Sequence, residues 1–176
     1  DNFYPLVTLD IIAHEMSHGF TQHYSKLIPQ GQSWGISESF SDIAGEAVKY
    51  YVRGVNDWQF AREALKVPNQ AVRYLDEPTK DCRQQEPGYY CSISHIDDFR
   101  QHMNGHFSSG VFNKAMYLLA TTPGWDVRRV FNTMVQANLF YWRSTTGFQE
   151  AACGIYYAAR DYRYNTGAVR AAFMQV

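Results

Sequence analysis

Three side chains near the start of the chain, His14, Glu15 and His18 of HEMSH, have the types and spacing to hold and use a metal ion. On a helix, residues four apart point within about 40° of each other, so both imidazoles can address one ion. Zinc takes imidazole nitrogen, asks for a third protein ligand and leaves a fourth position for water. Glu15, about 100° round from His14 on the same helix, can address that water without binding the ion. The chemistry such a set serves is hydrolysis by metal-activated water. Two histidines at this spacing also occur on ordinary surface helices, so the reading turns on a third ligand.

One extension of the pattern needs a glycine and a third histidine at fixed offsets, which here fall on Thr21 and Tyr24. That version fails, and His23, on the opposite helix face, reads as a solvated histidine. A carboxylate on a following helix is available instead: GISESFSDIAGEA supplies Glu38, with Asp42 one turn later. Glu38 can ligate while Asp42 accepts the free ring N–H of a ligand histidine and fixes its tautomer. Alone, these acids would read as exposed groups favoured by a helix start. A second metal site among His95, His102, His106, Asp97 and Asp98 is not expected, because Asn104-Gly105 breaks any helix between His102 and His106.

The elements that must position these groups are helical. Leu9, Ile12, Met16 and Phe20 recur at three- and four-residue steps, which predicts a helix from about Val7 to Tyr24 with one apolar face. A second helix opens at Ser37 or earlier and runs to about Val52, where Gly54 stops it. Residues 66–107 read as irregular coil with short helical pieces. Further helices are expected over 108–121, 126–142 and 146–163, with a short one after Thr166. No series of alternating strands is legible, so the fold class is mainly α, expected as one helical domain over 1–176.

A hydrophobic fraction of 45% with 16% aromatics describes a globular chain. A formal net charge of −1 gives no electrostatic case for nucleic acid or an anionic membrane, and no apolar run is long enough to span a bilayer. Cys82 and Cys91 flank a turn-rich segment, and are either a short disulfide loop, which favours an oxidising compartment, or two free thiols. Cys153 is left over, either buried as a small hydrophobe or missing a partner beyond the chain end.

The run HEMSHGFT…GISESFSDIAGEA resembles the thermolysin-like zinc metallopeptidases, and AVRYLDEPTKD and GHFSSGVFNKAMYLLATTPGWD are similar to further segments of that family. SSGVFNKA and the ACG at Cys153 are similar to its pseudolysin- and vibriolysin-like bacterial secreted branch. The resemblance implies the helical C-terminal lobe of a gluzincin catalytic unit, with the β-rich N-terminal lobe absent from this chain. It implies zinc on His14, His18 and Glu38, Glu15 as the base, and His106 as the catalytic histidine. It also implies Arg73 as a substrate-binding arginine, with Asp42 and Asn104 supporting the ligands and the catalytic histidine. The implied activity is endopeptidase cleavage before bulky apolar residues, with Ile11 and Phe60 at pocket positions. Implied partners are a protein or peptide substrate and the missing lobe or propeptide of the same precursor. Implied location is extracellular, with signal peptide and propeptide outside this chain.

Several positions depart from the family pattern. Pro29 stands where relatives carry an oxyanion-assisting tyrosine, and Asn104 where the branch carries an aspartate. Trp34 replaces a usual glycine and either narrows the cleft or packs as core. Asp10, Glu46 and Asp57 match carboxylate positions of a structural calcium, but a further acidic position is Lys49, whose ammonium would stand in for the ion. The losses at Pro29 and Asn104 leave an alternative open: a weakened or inactive zinc-binding homologue that serves as an interaction module.

Overall fold

The computed structural model describes residues 2–82 and 91–176, and it is mainly helical as the periodicity implies. Helix α1 spans Leu9–His23 and packs on α2, Gly31–Arg53. Gln30 is extended and the helix starts directly after it, six residues before Ser37; Gly54, with φ of 74°, ends it in the left-handed region. Ile36, Phe40 and Ile43 form its core face, each no more than 1% exposed. Phe40 stacks on Phe20 of α1 at 5.6 Å and meets Trp142 edge-on at 6.3 Å. Around α2 lie α3 (Gly105–Ser108), α4 (Gly110–Ala120), α5 (Val127–Phe140) and α6 (Phe148–Asp161), and α7 (Thr166–Phe173) packs on α4 and α6. Asp126 and Asn165 cap α5 and α7 by accepting backbone N–H groups.

Two sequence expectations change. The helix expected over 108–121 is reached through α3, because Asn104 caps it by accepting from the His106 N–H. The coil over 66–107 contains β2 (Arg73–Tyr74), which pairs antiparallel with β1 (Gln59–Phe60) in the register Phe60 opposite Arg73. Two-residue strands are too short to show an alternating pattern.

α1 buries a different face from the one its apolar residues mark. Asp10, His14 and Thr21 are buried, whereas Ile12 is 47% and Met16 73% exposed. The reason is α2, whose polar stripe carries Glu38, Asp42 and Glu46 and draws the polar side of α1 inward. The helices approach closely at Gly45, where a β-carbon would lie 3.0 Å from the Asp10 carbonyl oxygen. Any side chain there would push α1 away from α2.

Cys82 and Cys91 form a disulfide; Pro87 and Gly88 of the turn between them lie outside the described residues. Cys153 is a free, exposed thiol, so the buried alternative is set aside. Among the described residues, no helix is long and apolar enough to cross a membrane.

Candidate metal centre

His14 projects from α1 into the seam with α2 and is 3% exposed. Its Nδ1 lies 2.9 Å from Asp42 Oδ1, which assigns the ring proton to Nδ1 and turns Nε2 to the centre. That Nε2 is 3.0 Å from His18 Nε2 and 3.3 Å from Glu38 Oε2, and His18 Nε2 is 3.7 Å from the same oxygen. His18 is steadied from behind by Ser41 Oγ, 3.3 Å from its Nδ1. One ligand atom from each of His14, His18 and Glu38 falls within 4.8 Å of the others, the single such group among the described residues.

The donor set fits zinc: two imidazole nitrogens, one carboxylate oxygen and an open side. Glu38 Oε1 accepts the Trp34 indole N–H at 2.9 Å, while the buried Oε2 accepts no well-formed hydrogen bond. A buried carboxylate oxygen aimed at two imidazole nitrogens is costly unless a cation completes the group.

Behind the ligands lies a buried charge relay of fixed groups. Asp42 is fully buried and accepts from Arg73 Nε at 2.9 Å, Arg73 Nη2 at 2.6 Å and Asn113 Nδ2 at 2.9 Å. Burial alone would raise the Asp42 carboxyl, but Arg73 and His14 outweigh it and hold the group well below the usual carboxylate range. Burial would likewise lower His14, yet the Asp42 hydrogen bond and the Glu38 carboxylate carry it up to about 9. Without metal, the second ring proton sits on the nitrogen a metal would take, so zinc uptake must displace it. Burial lowers His18, which leaves that imidazole neutral and ready to ligate.

The flanking groups occupy distinct sides. Glu15 is exposed on α1. His106, 45% exposed, has Nε2 3.3 Å from Glu38 Oε2 and Nδ1 2.9 Å from Asn104 Oδ1. Burial lowers its pKa, Arg73 adds to the shift, and Glu38 opposes it. Arg73 sits 4.2 Å over the Phe60 ring, whose centroid is 4.9 Å from that of His14. Ile11 is partly buried at the edge of the same core. A cleft of about 460 Å³ leads away from His18 and Glu38 past Thr21, Leu27 and Pro29. A roomier apolar cavity of about 550 Å³ lies elsewhere, between Phe112, Phe148 and Phe173, with none of these groups in it. We assign the chemistry to the smaller cleft because it is lined by His18 and Glu38.

The calcium-position residues converge on an ammonium. Lys49 Nζ, nearly buried, lies 2.5 Å from Glu46 Oε1, 2.5 Å from Asp57 Oδ1, 3.1 Å from the Gln59 carbonyl and 3.9 Å from Asp10 Oδ2. The same carboxylates also hold the backbone: Glu46 Oε2 accepts from Trp58 N, and Asp10 Oδ2 from Ala61 N. Both Trp58 and Ala61 have positive φ, 57° and 55°, a conformation that such bonds must impose.

Two partners escape a reading of the sequence alone. The Arg73–Asp42 pair joins residues 31 apart through a strand too short to recognise. Trp34 stands four residues before Glu38 on α2, a spacing that does signal a shared face.

Comparison with known proteins places these features. The description "Thermolysin metallopeptidase, alpha-helical domain" matches residues 25–176. The chain is 44% identical over 174 residues to a neutral protease of Vibrio proteolyticus, covering 99% of this chain and 27% of that protein. It is 41% identical over 175 residues to the zinc metalloproteinase MspA of Legionella longbeachae, covering 98% of this chain and 32% of that one. The chain thus spans about a quarter to a third of the length of these curated relatives. In fold it resembles the precursor of protealysin, a metalloproteinase from Serratia proteamaculans, with a TM-score of 0.85 at 20% identity over 99% of this chain and 59% of that one. With these matches spanning nearly all of its length, the chain belongs to the thermolysin metallopeptidase family and carries that family's alpha-helical domain.

Proposed function

We propose that the protein containing this chain is a zinc-dependent endopeptidase, with His14, His18 and Glu38 as the metal ligands. The observation that carries the reading is the convergence of those three side chains, with Asp42 behind His14 and His106 beside Glu38. The names of the relatives, neutral protease and zinc metalloproteinase, support it.

Bound zinc would lower the pKa of a coordinated water to about 7 and polarise the scissile carbonyl. Glu15 takes the proton of the attacking water and passes it to the leaving amine. His106 Nε2 donates to the oxygen that gains charge as the carbonyl is attacked. Asn104 Oδ1 accepts from both the backbone N–H and Nδ1 of His106, so the ring donates from Nε2 only as imidazolium. Arg73, with Nε and Nη2 committed to Asp42, has Nη1 left to meet a substrate carbonyl. Phe60 and Ile11 would form the apolar pocket for the residue after the cut.

The test is hydrolysis of peptides by the full-length protein after zinc removal and readdition. Cleavage before Leu or Phe that disappears with zinc and returns with it is expected. Zinc retained with no cleavage of any peptide favours the second reading, a zinc-binding interaction module. That reading rests on the changes at Asn104 and at Pro29, which lines the cleft and donates no hydrogen bond.

Val7, just before α1, and Ile12 and Met16 on it are exposed apolar side chains, which we assign to contact with the part of the longer protein that precedes this domain. Secretion is part of the proposal, supported by the Cys82–Cys91 disulfide.

Lys49 is proposed to replace a structural calcium. Its ammonium is held above its ordinary 10.5: burial opposes, but Glu46 and Asp57 outweigh burial. A raised folded-state pKa contributes stability that is fully present below about pH 10.5 and is lost as pH rises through the higher folded value. Melting temperature of the wild type is expected to be indifferent to added calcium. Lys49→Met should lose about 3–5 kcal/mol, having left buried carboxylates unpaired, and its alkaline stability limb should flatten. Lys49→Glu should restore a calcium-dependent melt, since it adds a carboxylate to an oxygen-rich cluster. A wild type whose melting temperature climbs with calcium would contradict the assignment.

A further inference from the structure

Trp34 is the side chain whose contacts exceed what packing needs. Its indole N–H points at Glu38 Oε1 from 2.9 Å, and Glu38 is 5% exposed. Its ring faces the His106 ring edge-on, with centroids 6.2 Å apart. The ring also lies against Gly105, the first residue of α3, where a β-carbon would come within 2.3 Å of it. So one aromatic side chain touches both a carboxylate of the centre and the turn that presents His106.

We propose that Trp34 is a positioning residue of the metal centre, holding Glu38 through one oxygen while its ring sets the place of His106. The inference rests on the proposed function and deepens it. A carboxylate with both oxygens free can swing, or bind an ion through either or both. A donor fixed on Oε1 leaves Oε2 as the single oxygen that meets the imidazole nitrogens, 3.3 Å from His14 Nε2 and 3.3 Å from His106 Nε2. Partners behind a ligand typically change metal affinity by about 10–100-fold when removed. The indole also needs the space at residue 105, so glycine there and tryptophan at 34 work as a pair.

The experiment compares full-length wild type, Trp34→Phe and Gly105→Ala, and the double variant. Zinc affinity is read by competition with a chromophoric chelator, alongside kcat, KM and the melting temperature of the metal-free protein. Trp34→Phe keeps an aromatic ring but loses the N–H. It should weaken zinc by about tenfold or more and lower kcat, with KM within about twofold and the metal-free melt unchanged. Gly105→Ala keeps the N–H but crowds the indole, and should reproduce the same defects; the two should not add in the double variant. A zinc-binding wild type whose Trp34→Phe variant binds zinc equally well overturns this inference alone. Additive defects in the double variant also overturn it. A wild type that binds no zinc overturns the proposed function, and this inference with it.

Discussion

Glu15→Gln is expected to keep its zinc and lose its hydrolysis. Glu15 is exposed on α1, outside the network of Asp42, Arg73 and His14 that stabilises the seam between α1 and α2. An amide in its place therefore disturbs neither packing nor ligation, and the melting temperature should match the wild type. What disappears is the only carboxylate adjacent in sequence to a ligand histidine and free to accept a proton from the attacking water. Loss of a positioned general base costs about 10²–10⁴-fold in rate. Zinc per chain by elemental analysis and kcat on a peptide with Leu after the scissile bond measure the two halves of the expectation. A variant that cleaves within tenfold of the wild type would remove Glu15 from the mechanism.

Asp42→Ala is expected to damage the protein as a fold and as a metal centre together. Asp42 is fully buried and binds Arg73 through two hydrogen bonds, His14 through one and Asn113 through one. Its removal leaves the buried Arg73 guanidinium without its counter-charge. Breaking a buried pair from one side typically costs about 3–5 kcal/mol. His14 also loses the acceptor that sets its tautomer, and zinc affinity should fall by about 10–100-fold. Asp42→Asn keeps the shape and one acceptor oxygen, so it should fold better than Asp42→Ala yet still bind zinc weakly. Chemical unfolding of the metal-free proteins and chelator competition separate these effects. Unchanged stability in Asp42→Ala would show that Arg73 finds another partner.

The proposed zinc ligands are legible because ligation forces residue types into fixed spacings. His14 and His18 must sit one helical turn apart, and Glu38 must precede Asp42 by the same step. The helices that carry them were legible for the related reason that periodicity persists over many residues. Where the sequence misled, local pattern and burial disagreed. The apolar stripe of α1 reads as core, but α2 buries the opposite side, and nothing within residues 9–23 reveals which neighbour is polar. The short strands at Gln59–Phe60 and Arg73–Tyr74 were invisible because their order comes from distant bonds: Glu46 holding Trp58 and Asp10 holding Ala61. Cys153 offered two readings, and exposure decided between them. Trp34 reads from the sequence as narrowing the cleft or packing as core, and its N–H bond to Glu38 emerges only in the fold.

The central claim is that His14, His18 and Glu38 hold a zinc ion with room for water. Zinc-edge X-ray absorption on the purified full-length protein addresses it directly. The predicted spectrum is four-coordinate, with two imidazole nitrogens at about 2.0–2.1 Å, one carboxylate oxygen and one water oxygen. It should lose its imidazole scattering in a His14→Ala, His18→Ala double variant. A protein that copurifies with no zinc, or whose zinc shows sulfur scattering or retains both imidazoles in that variant, would contradict the claim.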